Sequence, residues 1–188
     1  ALLVTGAFSA LTVWMTWPLV LHMGDSVVGE FGDNMHFAWM IGWFKKALLD
    51  LGGSPYFAPQ LNYPEGWHLA RSEVPITLVL LGLPFAAAGN PVLGYNVAVL
   101  LSFIFSAIAM YAWIQRLTSD RAAAFLAGTI FAFLPIRMAH FRAGHLNALG
   151  TFWFPLYFMA LFELLQSERT RWKMAALCGL SVGMLSLT

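Results

Sequence analysis

Charge is the scarcest thing in this chain. Asp, Glu, Lys and Arg together make up 10% of its 188 residues, against about 25% in an ordinary soluble domain. With 60% of residues hydrophobic and a mean hydropathy of +0.71, that shortage excludes a soluble globular fold and implies an integral membrane protein. Basic runs and nucleic-acid motifs are also missing, so nucleic acid is excluded as a partner. The one cysteine, Cys178, rules out an internal disulfide, and it reads as a small residue packed in an apolar helix. No internal repeat is present. The chain opens on Ala1 without a basic n-region and closes on Thr188 inside an apolar run. The expectation is the N-terminal part of a longer multi-pass protein, cut at both ends.

What is abundant is long apolar sequence. About 20 residues cross a bilayer core, and the spans are predicted at about 1–22, 94–115, 122–136, 148–166 and 174–188. Each must be helical, because an isolated strand cannot satisfy its backbone in lipid. The predicted class is therefore an all-α polytopic bundle. The apolar stretch 75–89 is too short to cross, opens on Pro75 and contains Pro84. It reads as a re-entrant or interfacial helix.

Charge then sets the topology. If 75–89 stays on one side, the basic turns 116–121 and 167–173 share a side, opposite a loop 23–93 with six acids and three bases. The positive-inside rule puts that loop outside, and the expected location is the plasma (inner) membrane, in contact with its lipids. The loop carries an acidic turn and a helix over 34–51 with apolar residues at helical spacing. Asp33 or Asn34 can cap that helix, and Lys46 and Asp50 form an i,i+4 pair. Trp39 and Trp43 suit a helix lying at the interface.

Three polar clusters stand out. Asp25, Glu30, Asp33 and His36 sit at the outer end of the first span. As a plain reading they form a solvated turn and a cap. As a chemical one, Asp33 between converging apolar helices is desolvated and serves as a general base, or it shares a hard divalent cation with Glu30. The second cluster, "LPIRMAHFRAGHLNAL" over 134–149, reads as an outer loop holding Arg137, Arg142, His140 and His145 and no acid. It either touches lipid headgroups or forms an anion site, with arginine forks on phosphate and a helix beginning near Leu146 pointing its positive end at the same anion. The histidines read foremost as hydrogen-bonding loop residues. The third cluster, Glu65, His68, Arg71 and Glu73, lies just before 75–89 and is either a solvated turn or the lining of a polar cleft. Tyr63 and Trp67 there suit an aromatic belt better than a sugar platform.

The order of "GDNMHFAWMIGWFKKAL", "FAPQLNYPEG", "RSEVPITLVLLGLPFAAAGNPVLGYNVAVLL" and "FAFLPIRMAHFRAGHLNAL" resembles the multi-spanning C-type glycosyltransferase superfamily, most of all bacterial relatives of its polyprenyl-phosphate-sugar-dependent members. The resemblance runs over nearly the whole chain. It implies an acidic residue after the first span, matched by Asp33, and two juxtamembrane helices in an extracytoplasmic first loop, matched by 34–51 and 75–89. The paired acids common at that position are replaced here by Glu30 and Asn34 around Asp33. The implied activity is hexosyl or pentosyl transfer from a lipid-linked donor to an acceptor on the outer face. The implied roles are Asp33 as base and Arg137, Arg142, His145 and Arg71 as candidates for the donor phosphate. Glu30, His36 and Glu73 are candidates for a second acid or the acceptor side, and a divalent metal ion is a candidate cofactor. Two other readings compete. A non-catalytic subunit working with other membrane subunits needs only the apolar helices. A transporter normally places ionisable groups within its spans, which here are nearly bare of charge.

Overall fold

The computed structural model describes residues 2–29, 31–166 and 172–187. It is 73% helical and 2% strand. Three helical stretches are long and apolar enough to cross a membrane, Pro91–Thr118, Arg121–Ala143 and Leu146–Leu165, so the chain is a helical membrane protein. Its helices are α1 (Leu2–Met15), α2 (Asp33–Lys45), α3 (Ile76–Ala88), α4 (Pro91–Thr118), α5 (Arg121–Ala132), α6 (Pro135–Ala143), α7 (Trp153–Leu165) and α8 (Trp172–Leu185).

The 28-residue α4 is the axis of the molecule. Asn90 caps its start by accepting from Leu93 N at 3.0 Å, and Pro91 takes the first turn, where no N–H is needed. Its N-terminal half is clad by α2 and α3, with Gly82, Gly94 and Ile41 in close contact. Its C-terminal half is clad by α1, α5 and α7. There Phe8 stands edge-on to Tyr111 and Trp113 stacks on Phe158, while Gly128 of α5 lies against Ala107. At the far end Ser119 turns left-handed and Asp120 caps α5 through Ala122 N and Ala123 N. Arg116 pairs there with Glu163 at 3.2 Å.

Several boundaries differ from the expectation. The first helix stops at Met15, ahead of Pro18, because the residue before a proline is pushed out of the helical region. The third span is longer than 122–136: α5 breaks before Pro135 and the chain resumes as α6, so the apolar stretch reaches Ala143. The segment 134–149 is therefore mostly helix, not loop. No α-helix starts near Leu146, where a four-residue 3-10 turn precedes α7, so the positive helix end proposed for an anion is absent there. The turn 167–173 falls mostly outside the described residues.

The long connection from α1 to α4 contains α2 and α3, close to the two helices expected. After Lys45 the helix widens to a π-turn over Lys46–Asp50. That spacing brings residues five apart together, so Asp50 pairs with Lys45 at 2.9 Å and not with Lys46. A two-residue hairpin pairs Phe57 with His68 and Ala58 with Trp67. Trp67 donates to Ser72 Oγ at 2.8 Å, a bond within the connection, and Trp153 of α7 donates to Thr77 Oγ1 of α3 at 3.1 Å, tying the connection to α7.

Candidate functional site

The acidic turn after α1 is held by asparagines. Asn96, buried in α4, donates to Met23 O at 2.9 Å and Ser26 O at 2.8 Å, and Asn90 donates to Gly24 O at 2.9 Å. Buried amides are retained where they satisfy backbone that water cannot reach. Asn34, also buried, donates to Val28 O at 3.0 Å and accepts from Gly32 N at 3.2 Å. Asn34 thus folds the turn onto the start of α2. Asp33 is the first helical residue, and no side chain caps that start. The carboxylate of Asp33 is left pointing elsewhere.

It points at the C-terminal end of α6. His145 Nε2 stands 3.3 Å from Asp33 Oδ2. Two glycines make this approach possible. Gly144 ends α6 with φ +78°, and a Cβ there would sit 2.5 Å from Asn34 N. Gly29, at φ +97°, presses onto the carbonyl of Arg142, which a Cβ would meet at 1.9 Å. A side chain at either position would be strained by the left-handed backbone and would collide with main chain. The acidic turn and the end of α6 therefore lie in backbone contact.

Between them opens a cavity of about 830 Å³ lined by Met15–Pro18, Val28, Gly29, Phe31–Asp33, Met138, Ala139, Phe141–Ala143 and His145. One wall is polar, with Asp33, Arg142 and His145. The other is the apolar end of α1. Trp17 is 59% exposed and Phe31 89% exposed, which gives the mouth a greasy rim. Such an edge suits a lipid chain or the bilayer. Asp33 itself is 60% exposed, so the expected desolvation of this carboxylate is not found.

The remaining candidates lie elsewhere. Arg137 is 4% exposed and does not line the cavity. It donates to Ser106 Oγ at 2.7 Å, to Thr151 Oγ1, and to Leu149 O at 3.3 Å. Its guanidinium lies 5.0 Å from the Phe103 ring centroid. It clamps α6 to α4 and to the approach of α7, and those partners occupy the fork that a phosphate would need. His36 is exposed and stacks on Trp39, which stacks on Trp43. Asp25 pairs with His22 at 3.3 Å. Glu73 accepts from Asn147 Nδ2 and, with Arg71, stays exposed away from the Asp33 cavity. Glu30 lies outside the described residues. Among the described residues no three acids, histidines or cysteines converge as metal ligands. Among the described residues lining the cavity, Asp33 and the His145 imidazole beside it are the two that could ligate a cation.

Sequence reasoning missed the two glycines, the α1 end and Met138 as parts of this site. The signal for α6 was available: Pro135 at a first helical turn and Gly144 just past a helix end are ordinary helix boundaries.

Fold and site together define a helical membrane protein with a polar cavity whose mouth is flanked by exposed apolar side chains. No protein-family model, curated protein or solved structure matches this chain, so its function is argued from the site.

Proposed function

We propose that this protein is a glycosyltransferase of the C-type superfamily. It moves a sugar from a lipid-phosphate carrier to an acceptor on the extracytoplasmic face of the plasma membrane, and α2 and α3 are the juxtamembrane helices of its first outer loop. The observation that carries this reading is the shared cavity of Asp33 and Arg142 beside the apolar end of α1. A carrier lipid can stay in the bilayer while its phosphate enters such a cavity from the side.

The chemistry follows from the two charges. Asp33 accepts the acceptor's hydroxyl proton as the new bond forms at the anomeric carbon. The bond from that carbon to the phosphate oxygen breaks, and its electron pair leaves with the phosphate. Arg142 meets the negative charge that develops there. Between the two events the sugar carries oxocarbenium character, as in glycoside hydrolysis. With Arg137 occupied inside the fold, Arg142 is the guanidinium assigned to the donor. No step here uses a metal.

The test is transfer from a radiolabelled polyprenyl-phosphate hexose by the intact protein in membrane vesicles. Asp33→Asn is expected to abolish transfer, while Asp25→Asn leaves it unchanged. Full transfer by the Asp33→Asn protein would sink the assignment. In the subunit reading another chain covers Asp33, and neither Asp33→Asn nor Asp25→Asn changes transfer.

A further inference from the structure

The Asp33 contact is the end of a longer chain of polar groups. His145 faces Asp33 through Nε2, and its other ring nitrogen, Nδ1, lies 2.9 Å from Nδ1 of His140. Two N–H groups cannot face each other at that distance, and neither can two bare nitrogens be held there favourably. One Nδ1 must carry a proton and the other must accept it. Asp33 decides which. A bare Nε2 on His145 would present a lone pair to a carboxylate, so His145 carries its proton on Nε2. In the neutral ring its Nδ1 is then bare and His140 Nδ1–H is the donor, whereas a doubly protonated His145 would donate from Nδ1 to His140 instead.

The geometry points to His140 as a positioning residue that locks His145 in the Nε2–H tautomer, so that His145 holds one oxygen of Asp33 and leaves the other for the acceptor hydroxyl. Both histidines lie on or just past α6. The left-handed Gly144 turns the chain back, and His145 N bonds to His140 O at 3.0 Å. That is how residues five apart in sequence come to face ring to ring. Both nitrogens of His145 are engaged, so it is not free to bind the donor phosphate. The chain does not need His140 to move a proton: its Nδ1–H only has to donate. The bearing of this chain on transfer rests on Asp33 being the base, as proposed above.

Two measurements on the intact protein test it. With ¹⁵N-labelled histidine in lipid nanodiscs, a scalar coupling across the N–H···N bond should join His140 Nδ1 and His145 Nδ1, with the proton of His145 on Nε2. In transfer from a polyprenyl-phosphate hexose, His140→Ala should lower the rate by about 10- to 100-fold, as outer partners of reactive groups do. His140→Asn should restore most of it, because its amide N–H can donate from nearly the same place as Nδ1–H. A missing coupling, a proton on His145 Nδ1, undiminished transfer by His140→Ala, or a His140→Asn protein as poor as His140→Ala would each overturn the proposal. If Asp33→Asn retains transfer while the coupling is present, the base assignment fails and the histidine chain stands as geometry.

Discussion

Replacing Gly144 by alanine is expected to damage both the fold and the site. The residue sits at φ +78°, where an added Cβ would lie 2.5 Å from Asn34 N, 2.7 Å from Asn34 Cβ and 2.9 Å from Asn34 Cα. Two of those atoms are main chain and cannot swing aside. Ordinary contact begins near 3.4 Å, so Asn34 N must retreat by about 0.9 Å. A left-handed alanine costs about 1–2 kcal/mol, and forced overpacking adds about 1–3 kcal/mol. Asp33 is the neighbour of Asn34, so a retreat of that size opens its contact with His145. A misplacement of ~1 Å at a reacting group can cost about 100-fold in rate. The assay is thermal unfolding in detergent, followed by tryptophan fluorescence, beside sugar transfer in vesicles. Gly179→Ala and Gly183→Ala are the controls: a Cβ at either meets nothing within 4 Å, and alanine in a helix is favoured by up to about 1 kcal/mol. A Gly144→Ala protein as stable and as active as those controls would refute the close approach on which the site is built.

Other substitutions separate support from chemistry. Gly29→Ala, facing the Arg142 carbonyl, should lower transfer and stability together, read in the same two assays. Asn96→Ala leaves the carbonyls of Met23 and Ser26 without their donor and should destabilise by about 2–3 kcal/mol, measured as a lower unfolding midpoint. Arg137→Ala strands Ser106, Thr151 and Leu149 O inside the fold. It should cost about 2–4 kcal/mol, with the KM for the donor unchanged in whatever protein folds. Arg142→Ala should do the opposite, raising that KM while leaving the unfolding midpoint where it was. Removing the exposed Lys45–Asp50 pair should change stability by less than about 1 kcal/mol.

Much of this architecture was legible in the residues. The apolar run 94–115 falls within α4, and 148–166 matches the stretch Leu146–Leu165 to within two residues at either end. The two helices expected between the first spans appear as α2 and α3, the first marked by apolar residues at helical spacing and the second by a continuous apolar run too short to cross. Asp33, Arg142 and His145 were singled out as chemistry-bearing residues, and the structure gathers all three on one cavity. Arg137 was singled out beside Arg142, five residues away, because spacing alone does not say which face of α6 is buried. Ser106 and Thr151, 31 residues before Arg137 and 14 after it, decide that, and only the packed fold brings them together. The His140–His145 contact was illegible for a related reason. In a continuous helix residues five apart do not face one another, and it takes the left-handed turn at Gly144 to fold one ring onto the other. The Lys45–Asp50 pair was misread by one residue because a π-turn leaves no mark in hydrophobic periodicity.

The most direct measurement of the central claim is where a lipid phosphate binds. A polyprenyl phosphate carrying a diazirine beside its phosphate can be photolysed in vesicles with the intact protein, and the labelled peptides mapped. The expected label falls on Met15–Pro18 and on Met138–Ala143, and Arg142→Ala weakens it. Label confined to the opposite end of the molecule, around Arg116 and Glu163, and insensitive to Arg142 would contradict the assignment of the Asp33 cavity as the donor site.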